Sequence, residues 1–266
     1  MMRAMLFTLR MLVLVLAAFA PAIASSAASV RLEDLTSTEL RDAIVAGKTT
    51  ILVPIGGTEQ NGAHIALGKH NRRALLLSER IARELGNALV APVVAYVPEG
   101  SVDAAGGHLR FAGTITIPPE AFVGTLESAG RSFRLHGFRD IVFLGDHGGY
   151  RREIASATQR LNQRWTRDAA RAHALPEYYR VVEADYPKLL RTRGLSEREI
   201  GVHAGLADTA LMLALDPAYV RDDRMREPGA GVTGDPARAT AELGQLGVDL
   251  IVSHTVEAIR KAASQR

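Results

Sequence analysis

Thr50-Ile-Leu-Val-Pro-Ile-Gly56 is a short apolar run closed by Gly56-Gly57, the pattern of a buried strand that stops at a turn. The chain around it alternates in kind. Asn71 predicts a helix cap, followed by Leu77, Ile81 and Leu85 at intervals of four and a stop at Gly86-Asn87. Ala88 to Val97 reads as a second strand, and the Gly-rich stretch from Pro98 to Phe111 as a loop. Pro118-Pro119-Glu120 opens a helix with Phe122, Leu126, Ala129 and Phe133 on one face, ending at His136-Gly137. Asp140-Ile-Val-Phe-Leu-Gly145 is a third strand, Tyr150 to Trp165 a helix, and Val181-Val182 the start of a further strand. Ala204 to Leu215 and Leu243 to Ala263 read as helices. Alternation of this kind predicts an α/β domain with a mostly parallel sheet covered on both faces. Sites in such sheets form at the carboxyl ends of the strands.

Composition narrows the chemistry. The 266 residues are 47% hydrophobic and 23% charged, with no Cys, which excludes disulfides, thiolate metal sites and a Cys nucleophile. Arg3 and Arg10 flank the start of an apolar run, Met11 to Ala20, followed by Ala22-Ile-Ala24 and Ser26-Ala-Ala28. That order predicts a signal peptide over residues 1–24, with cleavage as late as residue 28 as the other candidate, and a periplasmic or secreted protein. The run is shorter than the roughly 20 residues that span a bilayer, so no stable membrane anchor is expected. The formal charge is +3; without Arg3 and Arg10 it is +1, and no nucleic-acid partner is implied. A single domain is expected over residues 31–266.

Three polar clusters fall where strands end. Gly57-Thr-Glu-Gln-Asn-Gly-Ala-His64 with Lys69-His70 follows the first strand, Asp146-His147-Gly-Gly-Tyr150 the third, and Gly201-Val-His203 precedes Asp208. Imidazole and carboxylate at such positions suit zinc, manganese or iron. Gly229 to Gly234 satisfies GxGxxG but follows Arg226-Glu-Pro228 rather than a strand, so dinucleotide binding is not expected.

The strings themselves resemble the creatininase family. Gly57-Thr-Glu-Gln-Asn-Gly-Ala-His-Ile-Ala-Leu-Gly68 is similar to its Gly-Ser-x-Glu-Gln-His-Gly-Pro-His-Leu-Pro-Leu-Gly signature. Phe111-Ala-Gly-Thr-Ile-Thr-Ile117, His136-Gly-Phe-Arg-Asp-Ile-Val142, Gly145-Asp-His-Gly-Gly149, His203-Ala-Gly-Leu-Ala-Asp-Thr209 and Gly231-Val-Thr-Gly-Asp-Pro236 continue the likeness in the family's order. The resemblance implies a three-layer α/β/α sandwich, a metal-dependent hydrolase of cyclic or linear amide bonds, a small-molecule amide substrate and a homo-oligomer, often a hexamer. Glu59 stands at a metal-binding and catalytic Glu, His147 at a metal-binding His, and His203 at the general acid/base. Departures accompany the match. Asn61 replaces a ligand His, His70 replaces the Asp that bridges two metals, and Asp208 stands one methylene shorter at a Glu. An imidazole offers one lone pair and cannot bridge as a carboxylate does. The expected site is therefore mononuclear, built from Glu59, His70, His147 and Asp208 around one Zn2+, Mn2+ or Fe2+. Asn61, His64, His108, Asp146 and Tyr150 are expected to support it or to line the substrate pocket.

The resulting expectation is an exported hydrolase that cleaves C–N bonds with water activated by the metal. The alternative is a catalytically degenerate relative that binds a small ligand or serves as a scaffold, which the loss of the bridging carboxylate favours.

Overall fold

The computed structural model describes residues 29–104 and 106–265. The signal peptide expected over residues 1–24 lies outside the described residues. The elements run α1 (Ser37–Val45), β1 (Thr50–Ile55), α2 (Lys69–Leu85), β2 (Ala88–Val90), α3 (Pro119–Leu135), β3 (Asp140–Gly145), α4 (Arg151–Arg164), β4 (Arg171–Ala174), α5 (Pro176–Arg180), α6 (Tyr186–Thr192), α7 (Glu197–Ile200), α8 (Leu206–Leu215) and α9 (Ala241–Ser264). The strands form a fully parallel sheet in the order β2-β1-β3-β4.

Strand periodicity sorts the core into two layers. Ile51, Val53 and Ile55 of β1 and Ile141 and Phe143 of β3 face one side, against Phe122 and Leu126 of α3 and Ile154 and Leu161 of α4. Leu52, Val142 and Leu144 face the other, against Leu77 and Ile81 of α2, Leu211 of α8 and Ile251 of α9. Both faces of β1 are buried, which is why its sequence is continuously apolar rather than alternating. The α/β/α expectation is met.

Because β2 and β3 flank β1, the chain reverses its direction of travel across the sheet between them. The carboxyl ends of β1 and β3 end in register, Ile55 opposite Gly145, and open a crevice at that reversal.

Three local expectations are corrected. The strand read over Ala88 to Val97 ends at Val90, since Pro92 has no N–H to continue a ladder; only an isolated pairing of Val94 with Ile55 follows. Val181-Val182 is helical, not extended. Pro176 starts α5, and the helix runs through a single π turn, Val181–Asp185, into α6. The fourth strand is instead the short, polar Arg171–Ala174. Asn71 does not cap α2, whose N-cap is Gly68. Its Oδ1 accepts from Gly57 N–H (2.9 Å) and its Nδ2 donates to Thr58 Oγ1 (3.1 Å), tying the helix to the loop after β1.

Candidate functional site

The loop after β1 carries Glu59, Gln60 and Asn61, and is pinned from below by Tyr150. The phenol of Tyr150 donates to the carbonyl of Gly56 (2.6 Å), with the carbonyl of Ile55 3.0 Å from the same oxygen. Asn61 Nδ2 donates to Glu59 O (2.9 Å), and His64 Nε2 lies 3.0 Å from Ala204 O, linking this loop to the start of α8. The first turn of α2 adds Lys69, His70 and Arg73; the end of β3 adds Asp146 and His147. The loops after β2 supply Glu99 and His108, and the turn before α8 supplies His203.

Glu59 is wholly buried at the centre. His70 Nε2 lies 2.7 Å from its Oε1, while His147 Nε2 is 3.8 Å from Oε2. On the other side His203 Nδ1 is 3.8 Å from Oε1 and His108 Nε2 3.9 Å from Oε2. Oε2 has no hydrogen-bond partner among the described residues. Burial opposes ionisation of Glu59, but the hydrogen bond and charge of His70, then Lys69, hold its pKa well below the usual carboxylate range.

His70 stands between two carboxylates, with Nδ1 2.7 Å from Asp146 Oδ2. Burial and the Lys69 ammonium push its pKa down, yet the hydrogen bonds to Asp146 and Glu59 outweigh them and the net shift is upward. An imidazolium satisfies both acceptors; a neutral ring keeps Nδ1–H on Asp146 and frees Nε2 as a ligand. For His147, burial first and the charge of His70 second lower the pKa to about 3, so the ring is neutral at physiological pH.

Three ligand atoms from Glu59, His70 and His147 lie within 4.8 Å of one another. Two imidazoles and a carboxylate are the donor set of mononuclear zinc, manganese and iron sites, and the unpartnered Glu59 Oε2 gives an ion an unsatisfied anionic oxygen. The residues present fit a divalent cation.

Asp208 stands apart from this trio. Its Oδ1 takes Arg73 Nη1 (2.6 Å); its Oδ2 takes Lys69 Nζ (3.0 Å) and Ala204 N–H (2.8 Å). Burial would raise its pKa, but Lys69 and Arg73 hold it well below the ordinary value. Arg73 also donates through Nε to Asp146 (2.8 Å), whose Oδ1 accepts from Tyr178 OH (2.9 Å). Two wholly buried cations, Lys69 and Arg73, thus fasten the ends of the site. Ala204, beside His203, adopts φ +49°, a conformation a non-Gly residue holds at a cost; its N–H bond to Asp208 and its carbonyl's bond from His64 retain it there.

Glu99 was not legible as a site residue. Its Oε1 is buried with no hydrogen-bond partner among the described residues, 3.5 Å from His147 Nδ1, and burial followed by the charge of Glu59 raises its pKa to about 7. At present Gly149 N–H donates to His147 Nδ1 (3.1 Å). When Nε2 serves as a ligand the ring proton must sit on Nδ1, facing Glu99. Glu99→Gln is therefore expected to weaken zinc binding about 10–100-fold, the usual size for an orienting carboxylate, with the unfolding midpoint preserved. Calorimetric titration of metal-free protein checks this; unchanged affinity would remove Glu99 from the site.

Comparison with known proteins places the chain among relatives. The family model described as "Creatininase: Creatinine amidohydrolase" matches residues 33–259. The chain is 31% identical to the mycofactocin precursor peptide peptidase of Mycolicibacterium smegmatis, over 73% of this chain and 78% of that protein. It is 26% identical to the creatinine amidohydrolase of Pseudomonas putida, over 88% and 97% respectively. A solved structure described as creatininase Mn superposes with a TM-score of 0.73 at 26% identity, covering 88% of this chain and 98% of that one. A creatininase variant of Zn-Zn type gives the same TM-score and identity, covering 88% and 98%.

Proposed function

Because the chain belongs to the creatininase family of metal-dependent amidohydrolases, we propose that it hydrolyses an amide C–N bond at the crevice between β1 and β3, with one divalent ion held by Glu59, His70 and His147. The observation that carries the reading is the buried, unpartnered Oε2 of Glu59 between two imidazoles. One ion is expected rather than two. Glu59 is common to both trios found among the described residues, and in the second trio His108 Nδ1 lies 2.7 Å from the Gln60 amide, which leaves a neutral ring with its proton on Nε2, the nitrogen facing Glu59.

A bound divalent ion polarises a carbonyl and lowers the pKa of water near it. The chain supplies the rest. Burial, then Lys69, lowers the pKa of His203 to about 4, so its ring is a neutral proton acceptor at physiological pH. Water adds to the carbonyl carbon as His203 takes its proton. The C–N bond then breaks, and the same proton passes to the departing nitrogen, leaving a carboxylic acid and an amine. A cleft of about 460 Å³ lies beside His203 and Asp208, lined by Tyr179, Val182, Pro187 and Ile200 among others.

His203→Ala is expected to retain metal and fold while slowing hydrolysis about 10²–10⁴-fold. The assay is elemental analysis beside turnover of a panel of cyclic ureides, lactams and short peptides. The second reading, a ligand-binding protein without catalysis, is favoured by one observation: Lys69 Nζ lies only 3.9 Å from Glu59, a fixed positive charge beside the ligand carboxylate. A protein that retains no metal from any divalent salt and cleaves none of the panel would establish that reading. Export belongs to the same proposal and rests on the pattern over residues 1–28. A mature protein beginning near Ser25 or Ser29 supports it, and retention of Met1 sinks it.

A further inference from the structure

Gln60, His108 and His203 form a fork in which every hydrogen can be accounted for. Gly62 N–H donates to Gln60 Oε1 (3.0 Å), which fixes the orientation of the amide. The amide nitrogen has two hydrogens and two short acceptors: Gly231 O at 2.9 Å and His108 Nδ1 at 2.7 Å. His108 Nδ1 is therefore an acceptor, and a neutral ring carries its proton on Nε2. His203 Nε2 lies 2.9 Å from the backbone carbonyl of Gln60, which can only accept. That nitrogen is protonated, and Nδ1 of His203 is bare. The 3.2 Å approach of His203 Nε2 to the Gln60 amide nitrogen has no hydrogen left to fill it.

Both rings are Nε2–H tautomers, yet they present opposite chemistry to the centre. They lie against each other with centroids 4.2 Å apart and planes 36° apart. His108 turns Nε2–H toward Glu59 Oε2 at 3.9 Å, and His203 turns its bare Nδ1 toward Oε1 at 3.8 Å. Neither separation is a hydrogen bond, so one donor and one acceptor stand over the same carboxylate with their capacity unused.

We propose that His108 is a catalytic residue whose Nε2–H donates to the carbonyl oxygen of the scissile amide, and that Gln60 is the positioning residue that sets this tautomer. The proposal rests on the amide-hydrolase reading above. As water adds, the carbonyl π pair moves onto oxygen, where His108 meets it. When the C–N bond breaks the pair returns to re-form C=O, and His108 keeps its proton throughout. The same tautomer removes the lone pair that an ion at Glu59, His108 and His203 would need.

Gln60→Glu keeps the shape of the side chain but puts an acceptor where the amide donates. A neutral His108 then carries its proton on Nδ1 and faces the carbonyl with a bare nitrogen. Two measurements on zinc-loaded protein test this. Nitrogen-15 spectra of the His rings, assigned by loss of signals in His108→Asn and His203→Asn, are expected to show His108 protonated on Nε2 in wild type and on Nδ1 in Gln60→Glu. Turnover of the most rapidly cleaved amide of the panel is expected to fall about 10²–10³-fold in kcat in both Gln60→Glu and His108→Ala, with zinc content unchanged. His108→Gln, which restores an N–H donor, is expected to recover part of that loss. An Nδ1–H tautomer in wild type overturns the proposal whatever the turnover. So does His108→Ala turning over at the wild-type rate. Expected tautomers with no amide cleaved overturn the hydrolase reading, and the catalytic role of His108 with it, while leaving the fork intact.

Discussion

Arg73→Ala is expected to cost about 3–5 kcal/mol of folding stability, the range for removing one partner from a buried ion pair. Its guanidinium is wholly buried and holds both Asp146 and Asp208, so the truncation leaves one buried and one largely buried carboxylate short of a counter-charge. For a domain of this size the thermal midpoint should drop by roughly 10–15 °C. Arg73→Lys should recover only part of the loss, since an ammonium lacks the fork that reaches two carboxylates at once. The deficit depends on pH with a definite sign. The folded Asp208 has a depressed pKa, so its stabilising contribution is present above the unfolded pKa of about 4 and fades as pH falls through the folded value. Lys69 contributes most to that depression and Arg73 next. Wild type and Arg73→Ala should therefore converge in urea stability in acid and differ most near neutrality. Curves that stay parallel down to pH 3 would show that Asp208 does not depend on Arg73.

His147→Ala is expected to lower divalent-ion affinity by several orders of magnitude, because no small side chain replaces an imidazole nitrogen as a ligand. Glu59→Gln should weaken binding while sparing the fold, since it keeps the shape and removes the charge. Binding in wild type should also release a proton. The upward-shifted His70 holds one on Nε2 in the metal-free state and must lose it to become a ligand, so affinity rises with pH until His70 is neutral. Calorimetry in two buffers of different ionisation heat reads that proton directly. Two tightly held ions per chain would refute the mononuclear site, and binding without proton release would refute the role given to His70.

The sheet and its flanking helices were legible because β1 and β3 are unbroken apolar runs and the long helices repeat every three to four residues. β4 was not, since Arg171-Ala-His-Ala174 is four residues long and half polar, and its pairing with β3 rather than its own pattern makes it a strand. Glu59, His70 and His147 stood out because loop imidazoles and carboxylates at strand ends are the currency of metal chemistry. Lys69 and Arg73 did not, because cations in a polar helical turn read as a solvated face. Only the fold reveals that this turn points inward at three carboxylates. Glu99 sat in a stretch with no periodicity, and its distance of 48 positions from His147 conceals their contact. Asp208 reads as a metal ligand from its place in the third polar cluster and from the family likeness, and its two cationic partners become visible only in the fold.

The beginning of α2 is, by local rules, badly built. Gly68 offers no side-chain cap, no acidic residue lies in the first turn, and Lys69, His70, Arg72 and Arg73 crowd the positive end of the helix dipole. Excised as a peptide, this segment would fray from its amino end. What holds it wound is the ring of Glu59 from the loop after β1, Asp146 from the end of β3 and Asp208 from the first turn of α8, together with Asp216 on Arg72. Assembly of the reactive crevice and closure of the first helical turn are thus a single cooperative event. Substitutions that retune the charges for a new substrate must also keep that turn wound, which narrows the routes by which the activity can drift.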